Sequence, residues 1–106
     1  MEEWRPLRET ALYEASSYGR IRIAKTGEIL KGTKTSRRRI RVLLKINGKH
    51  YARYVNRLVG EAFWGAACDG FDIYHKDADT TNNRLDNLVI GTRSEAIRNY
   101  YKHKHQ

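Results

Sequence analysis

The side chains that could do chemistry are concentrated in one stretch, from Ile73 to Ile90. His75 ends a short apolar run there, and a polar loop rich in Asp, Thr and Asn follows it. Asn87 then precedes a second apolar run, after which comes a helix-start signal. A strand, a loop, a strand and a helix in this order would present one histidine beside a phosphate.

The elements that must position His75 are short. Residues 71–75 are predicted to form a strand that pairs with residues 88–90, because both runs are apolar and both are bounded by polar residues. Either Thr92 or Ser94 could be the N-cap of the last helix, and Thr92 is favoured because Glu95 three residues later completes a capping box. Asp77 is expected to hold the turn of the intervening loop.

The first part of the chain is predicted to be mainly β-structure. Residues 4–19 are interpreted as a lead-in segment in which Pro6 argues against a helix. Residues 20–23 alternate charged and apolar side chains, which is typical of a half-buried strand. A turn at Thr26-Gly27 would lead into a return strand starting at residues 28–30.

A second hairpin and a helix are predicted next. Asn47-Gly48 separates β-rich runs at 40–46 and 49–55, and this dipeptide favours a type I′ turn. Asn56 is the expected N-cap of the helix that follows, and Gly65 is expected to close it. The core face of this helix would carry Leu58, Val59, Ala62 and Phe63.

The charge of the chain favours an anionic partner. Its 106 residues carry 21 Lys and Arg against 12 Asp and Glu, a net charge of +9, and nucleic acid is the commonest partner of so basic a small domain. Residues 31–39 are basic and flexible in composition, which suits either a phosphate-backbone contact or a solvated loop. The side chains predicted to contact phosphates are Arg20, Arg22, Lys25, Lys31, Lys34, Arg37, Arg38, Arg39, Lys45, Lys49, Arg53 and Arg57.

Several classes are excluded by composition. Cys68 is the only cysteine, which rules out an internal disulfide and a cysteine-based zinc site, and it is expected to be a small buried apolar residue. The sequence has no apolar run long enough for a membrane helix and no signal peptide at Met1–Trp4, so we expect a cytoplasmic protein. His103 and His105 are expected to be solvated rather than metal ligands.

Several motifs in one order resemble the phage-type HNH homing endonucleases, over residues 4 to about 99. The resemblance rests on Trp4, residues 13–21 and 25–30, Asn47-Gly48-Lys49, residues 55–63, and the set His75, Asp77, Asn82-Asn83-Arg84 and Asn87-Leu88. In that family a divalent metal, usually Mg²⁺ or Mn²⁺, holds the scissile phosphate, and a histidine activates water. The resemblance implies that His75 is the general base and that Asn87 braces the loop.

The positions that hold the metal in this family depart from its pattern. The metal is bound by an Asp or Asn before the histidine and by an Asn or His on the helix, but Tyr74 and Ala96 stand at these positions. A neutral phenol is a poor Mg²⁺ ligand, and alanine has no donor atom. Asn56 is a third departure, because the family usually has His there. Substitute ligands, if any, would come from Asp77, Asp79, Glu95 or Asn99.

The sequence thus predicts an α+β fold, with antiparallel β-hairpins and a short helix followed by a ββα-metal, HNH-like motif. We expect a β-rich DNA-binding segment at 1–55 and the helix with the ββα motif at 56–106, in one compact unit. The predicted function is binding of double-stranded DNA with the nuclease activity lost and no cofactor. Two alternatives stay open: a nicking endonuclease that uses Mg²⁺ or Mn²⁺, and a basic module that binds RNA or a host protein. A dimer or a protein partner is also left open, and the expected location is the cytoplasm of a bacterial or phage-infected cell.

Overall fold

The computed structural model describes residues 1–104, which form eight β-strands and two α-helices. His105, part of the predicted terminal histidine pair, lies outside the described residues. The elements in chain order are β1 (Trp4–Pro6), β2 (Tyr13–Ser16), β3 (Ile21–Ile23), β4 (Thr33–Lys34), β5 (Ile40–Ile46), β6 (Lys49–Tyr54), α1 (Val55–Trp64), β7 (Asp72–His75), β8 (Leu88–Gly91) and α2 (Arg93–Lys104). Short 3₁₀ turns lie at Gly65–Cys68 and Leu85–Asn87.

The first sheet is an antiparallel array in the order β1-β2-β3. Residues 4–19 contain no helix, as Pro6 indicated, and they form two strands, β1 and β2, that were not predicted individually. Pro6 is tolerated because β1 is an edge strand, where a missing N–H leaves no central hydrogen bond unmade. The predicted return strand at 28–30 is reduced to one bridge, between Arg22 and Ile29.

The second sheet, β4-β5-β6, contains the predicted hairpin. Asn47 and Gly48 both have positive φ, 52° and 78°, as a type I′ turn requires. Along β5, Val42 and Leu44 are buried whereas Arg41, Leu43 and Lys45 are exposed, so only one face of this sheet packs on the core.

Helix α1 follows β6 without an intervening residue and packs on both sheets and on β7. The prediction that Asn56 caps this helix was wrong: Tyr54 is at the cap without a side-chain bond, and Asn56 lies inside the first turn. The Asn56 side chain is buried, and its Nδ2 donates to the carbonyl of Ile73 at 2.7 Å. Leu58 and Val59 point into the core as predicted.

The third sheet pairs β7 with β8 in antiparallel register, with His75 opposite Leu88. The capping box is confirmed: the Thr92 N–H donates to Glu95 Oε1 at 2.8 Å, and the Glu95 N–H donates to Thr92 Oγ1 at 3.1 Å. Antiparallel sheets with two helices are the α+β class that the sequence predicted.

The turn between β2 and β3 packs directly on the loop between β7 and β8. The N–H of Leu85 donates to the carbonyl of Ser17 at 2.9 Å, and the Arg84 guanidinium lies 4.2 Å from the centre of the Tyr18 ring. Gly19 has a φ of 88°, and a Cβ at this position would lie 2.6 Å from the carbonyl carbon of Asn83. The division at residues 55 and 56 stays a prediction, but these contacts join the two sides of it.

No helix in the described part of the chain is long and apolar enough to cross a membrane.

Candidate functional site

His75 ends β7 and is nearly enclosed, with 7% of its surface exposed. Its Nε2 lies 2.7 Å from Oδ1 of Asn83. Because a carboxamide oxygen only accepts hydrogen bonds, Nε2 carries the proton and Nδ1 carries the lone pair. Nδ1 has no hydrogen-bond partner among residues 1–104. Every buried side-chain nitrogen or oxygen of these residues does have a partner, so Nδ1 is not a buried atom. The lone pair therefore reaches solvent, in the orientation that a proton acceptor needs.

The surroundings keep His75 neutral. Burial lowers its pKa below the ordinary value for histidine, and the positive charge of Arg39 acts in the same direction. The bond to Asn83 and the carboxylates of Asp77 and Asp79 oppose this effect but do not reverse it. A neutral imidazole at neutral pH can accept a proton, so the histidine by itself fits the role of general base.

Asn87 lies between the two sides of the loop that follows His75. Its Oδ1 accepts the N–H of Asp77 at 3.2 Å, and its Nδ2 donates to Asp77 Oδ1 and to the Asn82 carbonyl, both at 2.9 Å. Burial raises the pKa of Asp77, but bonds from the Asp79 N–H, Asn87 and Asn82 outweigh it and leave that pKa lowered. This geometry suits a loop brace, and the role of Asn87 stays a prediction.

His75 lines a cleft of about 490 Å³ between β7, the 31–39 segment and the start of α2. We call it the His75 cleft. It is lined by Arg37, Arg39, Tyr54, Asn56, Arg57, Asp72, Ile73, Tyr74, His75, Thr80, Arg93 and Ala96. The two positions at which the resemblance calls for metal ligands, Tyr74 and Ala96, are both on its wall. A phenol and a methyl group offer no carboxylate or carboxamide oxygen, so these residues do not fit a Mg²⁺ site.

Of the four proposed substitute ligands, the structure brings one beside the histidine. Asn99 shares a small pocket with Tyr74, His75 and Ala96, and its Nδ2 donates to the His75 carbonyl at 2.9 Å. The other three candidates are carboxylates that form hydrogen bonds elsewhere. Asp77 and Asp79 close turns of the loop, and Glu95 caps α2. Within residues 1–104 no group of three or more His, Cys, Asp or Glu is placed to hold a metal ion.

The His75 cleft is instead rich in arginine. Arg57 forms part of the wall, but its donors are used by Glu61 at 2.7 Å and by the carbonyls of Phe71 and Cys68. Arg39 lies over the Tyr54 ring, with 4.2 Å between the guanidinium carbon and the ring centre. Arg37 is exposed and has no ion pair within the described chain, and Arg93 reaches only the Asp72 carboxylate, at 4.0 Å.

Most of the predicted phosphate contacts fall into two groups. Three arginines are paired with carboxylates on the surface: Arg20 with Glu2, Arg22 with Glu14 and Arg53 with Glu9. Arg22 also stacks on the Trp4 ring at 3.9 Å. A second group is exposed and has no ion pair among the residues described, namely Lys25, Lys31, Lys34, Arg37, Arg38, Lys45 and Lys49.

Sequence reasoning missed two features of this site. Arg93 was not singled out. It is the first residue of α2, and this helix starts directly after β8, the partner strand of β7, so its position near His75 could have been inferred. The bond from His75 to Asn83 was not anticipated either, because a loop of polar residues gives no sequence signal for which side chain turns inward. Cys68 is fully buried as predicted, and burial raises the pKa of its thiol.

Comparison with known proteins agrees with this fold. The HNH endonuclease family model matches residues 53–98, and the NUMOD4 motif matches residues 2–54. No curated protein matches the chain. A solved structure concerned with DNA binding and cleavage by the HNH homing endonuclease I-HmuI is similar over 98% of this chain, with a TM-score of 0.84 and 27% identity.

The chain spans 60% of the length of that solved chain. HNH nucleases generally use divalent metal ions. The two family models together run from residue 2 to residue 98 in the order that the motifs predicted, and the fold agrees with the solved structure. The chain therefore belongs to the HNH homing endonuclease family.

Proposed function

We propose that this chain binds double-stranded DNA and does not cut it. The observation that carries the proposal is the wall of the His75 cleft, which includes Tyr74 and Ala96, the two residues at which the resemblance implies metal ligands. His75 keeps its neutral, accepting form, but a general base has no reaction to serve when nothing polarises the phosphodiester bond. Binding needs no metal, because it depends on cations that this surface supplies in excess.

The exposed basic residues without ion pairs support the binding half of the proposal. They lie on the 23–28 turn, the 31–39 segment and the β5–β6 hairpin, all in the half of the chain that precedes α1. Arginines already paired with carboxylates contribute less, because a phosphate must first displace an acidic partner. The proposal places the protein in the cytoplasm of a bacterial or phage-infected cell, where duplex DNA is accessible.

Salt dependence tests this binding mode. If about five phosphates are neutralised, log affinity should fall against log salt with a slope near −4.5, measured by fluorescence anisotropy on labelled duplex. A slope near zero would contradict the proposal. Competition between duplex DNA and a structured RNA for the same labelled site separates DNA binding from RNA binding, and tighter binding of the RNA would favour the alternative.

A nicking endonuclease is the second candidate, and Asn99 is the observation that favours it. Asn99 shares a small pocket with His75, and its carboxamide oxygen has no partner among the described residues, so this residue offers one free oxygen donor next to the histidine. The test is incubation with supercoiled plasmid and either Mg²⁺ or Mn²⁺. We expect the plasmid to stay supercoiled; nicking that disappears in His75→Ala would overturn the first proposal.

A further inference from the structure

The His75 cleft has the charge of an anion site. Arg37, Arg39 and Arg93 line it, and Asp72 is the one carboxylate on the same wall. The charge of Arg57 is already matched by Glu61. Once that pair is set aside, the wall carries a net positive charge, whereas a cleft that concentrates a divalent cation needs a net negative one.

The three remaining guanidinium groups have donors to offer. Arg37 is exposed and unpaired within residues 1–104, and the side chain of Arg93 is 85% exposed with a single long contact to Asp72. The guanidinium group of Arg39 lies over the Tyr54 ring, a contact that does not use its N–H groups, and its positive charge acts on His75. Planar guanidinium groups match the two non-bridging oxygens of a phosphodiester better than a point charge does.

We infer that the His75 cleft binds one phosphodiester of the DNA backbone directly, through Arg37, Arg39 and Arg93, and without a metal ion. This deepens the proposed function and rests on it, since it assigns one of the phosphate contacts to the cleft. Neither Ala96 nor Tyr74 carries a negative charge, so neither side chain repels the phosphate. The arginines supply the positive charge that a metal supplies elsewhere in the family, but they polarise no water molecule.

The first experiment uses the full chain in EDTA with inorganic phosphate alone as the probe. Phosphate should shift the NMR signals of the Arg39 side-chain N–H and of the His75 ring. The double variant Arg37→Gln/Arg93→Gln should lose these shifts. Its matched control is Arg98→Gln/Lys102→Gln, which removes the same charge from exposed positions of α2 outside the cleft and should keep them. Absence of shifts in the unmodified protein would overturn the inference.

The second experiment measures duplex DNA affinity at constant ionic strength. Replacing EDTA with millimolar Mg²⁺ should not tighten binding, because no contact depends on the metal and Mg²⁺ competes for the same phosphates. Loss of the two cleft arginines should weaken binding about tenfold or more, given the strength of charged hydrogen bonds, and the control pair should weaken it less. Equal weakening by both pairs, or binding that requires Mg²⁺, would contradict the inference.

The two experiments separate the inference from the proposed function. DNA binding that is indifferent to the cleft arginines leaves the proposed function intact and removes the inference. Specific phosphate shifts in a protein that fails to bind DNA would remove the proposed function and retain an oxyanion site at His75.

Discussion

Replacing Gly19 with alanine should destabilise the protein by more than a left-handed backbone alone explains. A φ of 88° costs an alanine about 1–2 kcal/mol. The new Cβ would also lie 2.6 Å from the carbonyl carbon of Asn83 and 2.7 Å from its oxygen. Backbone atoms cannot rotate away as a side chain can, so relief of this overlap adds roughly another 1–3 kcal/mol.

The chain offers two matched controls for this variant. Gly27 and Gly48 have φ of 77° and 78°, and a Cβ at either would meet nothing within 4 Å. Gly27→Ala and Gly48→Ala therefore report the backbone strain alone. For a domain of this size we expect the melting temperature to fall by roughly 12 °C in Gly19→Ala and by about 5 °C in each control.

Thermal unfolding followed by circular dichroism gives the comparison, and NMR of the His75 ring gives a second readout. Asn83 Oδ1 accepts the hydrogen bond from His75 Nε2. A shift of the Asn83 backbone should therefore move the His75 ring signal in Gly19→Ala and in neither control. Equal losses of stability in all three variants, with the histidine signal unchanged, would refute the idea that the turn between β2 and β3 positions Asn83.

Three further outcomes are expected. Asn56→Ala should cost about 1–3 kcal/mol in urea unfolding, since the buried carbonyl of Ile73 loses its donor; a loss below about 0.5 kcal/mol would contradict this. Because the pKa of His75 is lowered on folding, the unfolded chain binds more protons below about pH 6.5, so stability should fall as the pH drops from 7 towards 5, and less so in His75→Gln. Tyr74→Asp/Ala96→Asn should gain Mg²⁺-dependent nicking of supercoiled plasmid; continued inactivity would show that these two positions do not by themselves account for the loss.

The local signals of the sequence predicted most of the fold. Asn47-Gly48, the Thr92–Glu95 capping box and the apolar runs around His75 each specify a structure through neighbouring residues. The prediction for Asn56 was wrong because asparagine suits two different positions. It can cap a helix, and it can also be buried and donate to a distant carbonyl, as it does here. The difference depends on Ile73, which no local pattern connects to it.

The candidate site was predictable in composition and less so in arrangement. Position along the motif identified Tyr74, His75 and Ala96, and the structure places all three at one cleft. The approach of the 31–39 segment to that cleft depends on a long-range contact, in which Thr80 Oγ1 donates to the carbonyl of Arg38 at 2.7 Å. Spacing in the sequence could not show that Arg37 and Arg39 belong to the surroundings of His75.

The direct passage from β6 into α1 limits how this protein can exchange parts with its relatives. Tyr54 ends the strand and Val55 begins the helix, so a recombination event at this boundary has no spare residue in which to absorb a mismatch. A transplanted first half must also bring a turn that fits against the Asn83 backbone, as Gly19 does. A chimaera that joins the halves matched by the two family models should therefore fold only when both surfaces are taken from the same parent.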